Sequence, residues 1–198
     1  SGLLLTKGFC TLHCSAVNIK DKTFVIFAPP NTGKTLTAIK LCEVNGAKFI
    51  AEDIALTDGE NIYAAPWTST FRYYNHKKES VLDGIGSWLM NKIPILQLVQ
   101  VRQRRSIDKY IDKGRILNKA KITDIVLLGK GNSHRLTNNT EIFESIINLN
   151  KYEFNYHKSP TMLVLNYFNK SLSIDNMYEN EKRILNSLIN TVNVSRIN

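Results

Sequence analysis

The residues whose types and spacing could carry chemistry lie first in the stretch "FAPPNTGKT", Phe27 to Thr35. Its Gly-Lys-Thr ending is typical of a phosphate-binding loop, in which the glycine lets the backbone approach phosphate oxygens, the lysine reaches the β- and γ-phosphates and the hydroxyl contacts Mg²⁺. The motif needs a strand before it and a helix after it, and the flanking sequence meets both conditions. We therefore predict a site for ATP, or another nucleoside triphosphate, with Mg²⁺. The predicted nucleotide-binding residues are Asn31, Thr32, Gly33, Lys34 and Thr35.

The first half of this loop departs from the usual pattern. Ala28 stands where such a loop is usually drawn with glycine, but this position only ends the strand, so a small side chain serves. Pro29 and Pro30 lack N–H groups and stiffen the loop, while the donors from residues 31 to 35 remain. The alternative interpretation is a turn that matches the motif by chance.

A second candidate is the acidic pair Glu52-Asp53, which follows the short predicted strand "AKFIA". A strand that runs next to the phosphate loop and ends in carboxylates is where Mg²⁺ needs a ligand. Adjacent residues at a strand end point to different sides, so one acid can hold metal while the other takes a proton. We assign Asp53, with Thr35, to the metal and Glu52 to proton abstraction, and an exchange of these roles stays open. The alternative is a solvated acidic turn.

The third candidate catalytic residue is His13. The segment "FCTLHCSAVNI" alternates, which predicts one strand with Cys10 and Cys14 on an apolar face and His13 on the other. If this strand lies beside the strand that enters the phosphate loop, His13 faces the γ-phosphate. A structural or surface histidine is the alternative.

The elements that position these residues follow from periodicity and turn chemistry. We expect "TFVIFA" to be a buried strand in a hairpin with the preceding one, a helix from Thr35 to Asn45-Gly46, and a hairpin turning at Asp58-Gly59. Further on, we expect a broken helix at "VLDGIGSWLM", strands at "IPILQLVQVRQ" and "ITDIVLLG", and amphipathic helices at "TEIFESIINL" and "ENEKRILNSLINTV". The predicted fold is a single α/β domain over residues 1–198, with a mixed sheet flanked by helices. Because the sequence begins with Ser-Gly, a longer parent chain stays open.

The composition narrows the function classes. The net charge is +9, but the basic residues are scattered and not interleaved with aromatics, which disfavours a nucleic-acid partner. No apolar run approaches the roughly 18 residues of a membrane span, and the start does not resemble a secretory signal. The three cysteines have no paired spacing, so we expect reduced, partly buried thiols in a cytoplasmic protein.

The order of these segments resembles a known family. "LHCSAV", "FVIFAPPNTGKTLTAIKL", "NGAKFIAEDIAL" and "GENIYAAPW" together are similar to the catalytic domain of HPr kinase/phosphorylase and its kinase-like relatives, in the superfamily that includes phosphoenolpyruvate carboxykinase. The resemblance covers Leu12 to Trp67. It implies a kinase-like fold around a phosphate loop and places His13, Lys34, Thr35, Glu52 and Asp53 on active-site positions.

The sequence also departs from that family. Glu52 replaces the first of two aspartates, the loop has fewer glycine and serine residues, and the Glu-Arg-Gly-type signature of HPr kinases is missing downstream. Arg72 is a candidate stand-in for a phosphate-contacting arginine. HPr as the substrate and the phosphorylase activity are therefore in doubt. The family forms hexamers, but no pattern here specifies an oligomer, so a homo-oligomer stays open.

Two functions follow from these observations. The first is an ATP- and Mg²⁺-dependent kinase that transfers the γ-phosphoryl group to a hydroxyl of a protein serine, a peptide or a small alcohol. The second is a nucleotide-binding regulatory or partner-binding module whose catalysis has decayed. Lys34, Thr35 and Asp53 favour the first, and the departures from the family favour the second.

Overall fold

The computed structural model describes residues 2–65, 67–68, 105–106, 111–129, 138–169 and 172–197. The strands are β1 Cys10–Leu12, β2 Ser15–Ile19, β3 Lys22–Phe27, β4 Lys48–Ala51, β5 Ala55–Thr57, β6 Asn61–Tyr63, β7 Trp67–Thr68, β8 Arg105–Ser106, β9 Lys119–Lys121, β10 Asp124–Leu128 and β11 Asn193–Ile197. The helices are α1 Gly2–Leu5, α2 Lys34–Val44, α3 Asn139–Glu153, α4 Pro160–Phe168 and α5 Ile174–Thr191, with 3-10 turns at Lys113–Arg115 and Tyr156–Lys158.

A five-stranded mixed sheet, with the order β11-β10-β3-β2-β4, sets the position of the candidate site. β10 is parallel to β3 and to β11, whereas β2 is antiparallel to both β3 and β4. Because β2 runs against its two neighbours, β3 and β4 point the same way. Their carboxyl ends therefore meet at one edge of the sheet, beside the start of β2. We call this the catalytic edge, after the candidate catalytic residues His13, Glu52 and Asp53 that the sequence predicts beside the loop.

A second sheet has four strands in the order β1-β5-β6-β9, and every pairing in it is antiparallel. The larger core cluster combines residues of both sheets with residues of α3 and α5, among them Leu12, Phe27, Ile62, Ile146 and Leu185. A smaller cluster lies beneath α2, where Ala38, Ile39 and Cys42 pack on Val17 and Phe49. The described chain is thus an α/β structure with mixed sheets flanked by helices.

Several predicted elements are confirmed. β2 and β3 form the expected hairpin, and β5 and β6 form the other, with Gly59 at a φ of +99°. α2 ends at Val44, and Gly46 takes a φ of +67° while the N–H of Ala47 donates to the Leu41 carbonyl. The strand in "ITDIVLLG" and the two amphipathic helices are present as β10, α3 and α5. The three cysteines are buried and free.

Two predicted elements cannot be compared with the structure. The broken helix predicted at "VLDGIGSWLM" and the strand predicted at "IPILQLVQVRQ" fall outside the described residues. Among the described residues, no helix combines the length and the apolar character that crossing a membrane would need.

The prediction of one strand over "FCTLHCSAVNI" is wrong. β1 pairs with β5 in the four-stranded sheet, β2 pairs with β3 and β4 in the mixed sheet, and the chain passes between the sheets at His13 and Cys14. Because this segment takes part in both sheets, its polar side chains are buried as well as its apolar ones. Thr11 and His13 are each 7% exposed and Ser15 is fully enclosed.

The predicted strand that carries the acidic pair is β4, and β2, the hairpin partner of β3, lies between β3 and β4. The acidic pair therefore follows a strand that is not the immediate neighbour of the loop strand. It still reaches the catalytic edge, since β3 and β4 share a direction. Glu52 follows Ala51, the last residue of β4, directly.

Asn150 of α3 bridges the break between β1 and β2. Its Oδ1 accepts a hydrogen bond from the His13 backbone N–H (3.0 Å), and its Nδ2 donates to the Thr11 carbonyl (2.7 Å) and to Glu181 Oε1 (3.0 Å). Tyr156 Oη donates to the other oxygen of the buried Glu181 carboxylate at 2.9 Å. One amide therefore satisfies the Thr11 carbonyl in β1 and the His13 N–H at the break, where a β-partner would otherwise be needed.

Replacing Asn150 should destabilise the fold at this break. Asn150→Ala leaves the His13 N–H and the Thr11 carbonyl buried without a partner, and each such group costs about 1–3 kcal/mol. We expect the free energy of unfolding to fall by at least about 2 kcal/mol. The measurement is urea denaturation, with Asn148→Ala, an exposed position on the same helix, as the control. Equal losses in the two variants would contradict the bridging role.

Candidate functional site

The loop between β3 and α2 has the backbone that a close approach to an anion requires. Asn31 and Gly33 have φ angles of +59° and +99°. A Cβ added at Gly33 would meet no atom within 4 Å, so glycine is needed there for its backbone conformation rather than for space. The two residues turn the chain so that α2 begins at Lys34, seven residues after the end of β3.

The start of α2 presents backbone donors to this edge. Its first intrahelical bond runs from the Thr37 N–H to the Gly33 carbonyl at 2.9 Å, so the amides of the preceding residues have no partner within the helix. Its first turn contains no acidic side chain. Amides of this kind, together with the helix dipole, favour an anion.

Lys34 is enclosed at the same place. The residue is 7% exposed, and within the described parts of the chain its Nζ makes no hydrogen bond. Its nearest carboxylate oxygen is Asp53 Oδ1 at 3.7 Å, which is an ion-pair distance beyond that of a hydrogen bond. Burial lowers the pKa of Lys34, and the nearby carboxylates of Asp53 and Glu153 oppose that shift. Apart from this ion pair, the hydrogen-bonding capacity of the buried ammonium is unused within the described chain, which is costly in free energy.

Asp53 lies at the centre of a strained turn. The N–H of Ile54 donates to the Glu52 carbonyl at 2.8 Å, which closes a three-residue γ-turn, and Asp53 has a φ of +70°. Strain of this kind persists only where the surroundings enforce it, and it clusters at functional sites. The turn holds the Asp53 carboxylate, whose side chain is 44% exposed, between Lys34 and His13.

His13 is held between two carboxylates. Its Nδ1 is 3.6 Å from Asp53 Oδ1, and its Nε2 is 3.9 Å from Glu153 Oε1 at the end of α3. Burial, followed by the charge of Lys34, lowers the pKa of His13 below its usual value, while Asp53 and Glu153 oppose this. The lowered pKa favours the neutral imidazole at pH 7.

Glu52 points to the other side of the turn. Thr35 Oγ1 donates to Glu52 Oε1 at 3.3 Å, and Glu52 is only 2% exposed. The two adjacent acids therefore differ in surroundings: Glu52 lies with the hydroxyl at the start of α2, and Asp53 lies with Lys34 and His13. Among the described residues, no group of three or more His, Cys, Asp or Glu side chains is arranged to hold a metal.

The predicted site residues on the described chain come together at the catalytic edge. His13, Lys34, Thr35, Glu52 and Asp53 form one connected cluster, and Asn31, Thr32 and Gly33 form the adjoining loop. Arg72 lies outside the described residues. The sequence analysis did not identify Glu153 or Asn150. Both are on α3, far from the motif along the chain, and no local pattern marks them.

Comparisons with known proteins add a distant structural likeness. No protein-family model matches the chain, and no curated protein sequence matches it. The structure is similar to that of the Hpr(Ser) kinase/phosphatase from Coxiella burnetii, with a TM-score of 0.41 and 12% sequence identity over 64% of this chain and 70% of that chain. The likeness concerns the fold at a distance, so the site is argued below from its own geometry.

The charge of Lys34 should be detectable in the titration of His13. Lys34→Met removes a neighbouring positive charge that disfavours the imidazolium, so the pKa of His13 should rise. NMR titration of the histidine Cε1–H signals, with His13 assigned through a His13→Gln variant, measures it. Lys40→Met, an exposed lysine on the same helix, is the control and should leave the pKa unchanged. An unchanged His13 pKa in the Lys34 variant would contradict the arrangement described here.

Proposed function

We propose that the chain is a kinase that binds a nucleoside triphosphate with Mg²⁺ at the β3–α2 loop and transfers the γ-phosphoryl group to a hydroxyl. The observation that carries the proposal is the Lys34 ammonium, which is buried at the start of α2 without a hydrogen-bond acceptor in the described chain. A phosphate supplies the missing oxygens. The backbone amides of Asn31 to Thr35 then bind the same phosphates, which agrees with the spacing of the motif.

The residues at the site suit Mg²⁺. A hydroxyl and a carboxylate are hard oxygen ligands, and Thr35 Oγ1 and Glu52 Oε1 already lie 3.3 Å apart. Mg²⁺ is usually held by one or two carboxylates and completes its shell with phosphate oxygens and water. When bound, it would neutralise the charge that develops on the transferring group. This assignment gives Glu52 the metal role that we first assigned to Asp53.

Asp53 then becomes the proton acceptor. Its side chain is 44% exposed, whereas Glu52 is enclosed, so an acceptor hydroxyl reaches Asp53 more readily. The hydroxyl gives its proton to the Asp53 carboxylate while its oxygen forms the new bond to the γ-phosphorus. The bond from that phosphorus to the bridging oxygen breaks, and the nucleoside diphosphate leaves. The neutral His13 lies on the other side of this carboxylate from Lys34, with its Nδ1 3.6 Å from Asp53 Oδ1.

The binding step depends on Lys34. Lys34→Ala should lower ATP affinity about ten- to a hundredfold, because a charge-assisted contact is worth roughly 1.5–3 kcal/mol. Calorimetric titration with ATP and Mg²⁺ measures it, and Lys40→Ala is the matched control on the same helix. Equal ATP affinity in wild type and Lys34→Ala would remove the proposed phosphate site.

The chemical step separates the two acids. Asp53→Asn should slow phosphoryl transfer, or slow ATP hydrolysis where no acceptor is supplied, by about 10²–10⁴-fold while ATP affinity changes little. Glu52→Gln should instead abolish the tightening of ATP binding by Mg²⁺, since an amide is a poorer ligand for a hard cation. The reverse pattern would restore the first assignment of the two roles. Binding without turnover in any form, wild type included, would indicate the decayed binding module.

A further inference from the structure

A cavity of about 620 Å³ lies on the other flank of the β3–α2 loop, away from Asp53. Residues of the loop, β10, β11 and α3 line this open cavity, with Phe27, Leu127 and Leu149 as apolar walls. Tyr152, also on α3, lines it with a largely exposed ring. Small-molecule sites in proteins have volumes of about 300–1,000 Å³, and this cavity lies within that range. Apolar walls with few polar groups are also typical of such sites.

Two polar groups at this cavity lack partners. Arg196 Nε and Thr32 Oγ1 are shielded from solvent, and neither makes a hydrogen bond within the described parts of the chain. Both residues line the cavity. Buried polar groups are normally paired, so two such groups at one cavity indicate a ligand with hydrogen-bonding atoms. Thr32 also belongs to the predicted phosphate loop, so the cavity adjoins that loop directly.

The strand order determines which part of a nucleotide reaches this cavity. β3 has β10 on one side, and β2 and then β4 on the other. The reacting groups, Lys34 and Asp53, lie toward β2 and β4, whereas the cavity lies toward β10. A triphosphate whose γ-phosphate is at Lys34 crosses the end of β3, where neighbouring strands are only about 4.8 Å apart. Its other end then faces the cavity.

We propose that this cavity is the nucleoside subsite of the phosphate-binding loop, with the heterocycle between the apolar walls and Tyr152, and with Arg196 donating to acceptor atoms of the ring or sugar. This inference rests on the proposed function and specifies which part of the substrate each flank holds. A planar heterocycle with ring nitrogens suits both the apolar walls and the unpaired donors. α3 thereby contributes to both flanks, through Tyr152 at the cavity and Glu153 at His13.

The test compares ATP with inorganic triphosphate, which has the phosphates but no nucleoside. Affinities of both, with Mg²⁺, are measured by calorimetry on the full chain as wild type, Arg196→Ala and Ser145→Phe. Ser145 lines the cavity, so phenylalanine there fills the space. Arg183→Ala removes the same charge at an exposed arginine of α5 and is the matched control.

We expect wild type to bind ATP more tightly than triphosphate. Arg196→Ala and Ser145→Phe should each weaken ATP binding about tenfold and leave triphosphate binding unchanged, since they remove a charged donor or the space for the ring. Arg183→Ala should match wild type for both ligands. Thermal melting checks the fold of each variant. If Ser145→Phe lowers Tm, Arg196→Ala, on an edge strand, decides the test.

Three results overturn the subsite. Equal affinity of wild type for ATP and triphosphate excludes a nucleoside contact. Equal losses for both ligands in Arg196→Ala place the arginine on a phosphate. Unchanged ATP affinity in both cavity variants, with a changed KM for a phosphoryl acceptor, assigns the cavity to the acceptor. In these three cases triphosphate still binds, so the proposed function stands, whereas absence of binding by either ligand removes both proposals.

Discussion

The arrangement of the catalytic edge depends on the burial of one ammonium group. Lys34 is 7% exposed, with its nearest carboxylate oxygen 3.7 Å away and no hydrogen-bond acceptor in the described chain. Such a group costs free energy that the fold must supply elsewhere. The apolar packing beneath α2 and the crossing of the chain at His13 hold the enclosure in place. An anion that bound only the folded chain at this place would offset part of that cost, as the proposed function requires.

The same charge governs the groups around it. A positive charge beside His13 adds to burial and lowers the pKa of the imidazole, whereas Asp53 and Glu153 act in the opposite sense. Burial also raises the pKa of Cys14 to about 12, so this thiol adds no charge to the cluster. With His13 neutral, stability is lost as the pH falls below about 6.5, because the unfolded chain takes up a proton that the folded site resists. An arriving phosphate lowers the local potential and shifts this balance toward protonation of His13.

Local signals predicted the parts of this site that neighbouring residues determine. The loop with its helix, the turn at Gly46 and the hairpin at Gly59 depend on backbone preferences within a few residues, and all three are present. The break at His13 could not be predicted, because alternation continues through it. Only the packing of two sheets and the distant Asn150 determine where the strand divides. The pairing of β2 with β4, like that of β3 with β10, joins segments that are distant in sequence, so no local pattern specifies the strand order.

Glu153 shows why a sequence motif does not fully define the site. It contacts His13 only because α3 lies along the catalytic edge, and Asn150 on the same helix holds the backbone of His13 in register. One turn of α3 therefore fixes both the position and the electrostatic surroundings of the histidine. The adjacent residue, Tyr152, belongs to the cavity on the opposite flank. The cavity and the surroundings of His13 therefore share adjacent residues of one helix, which no pattern within the phosphate-loop segment could have shown.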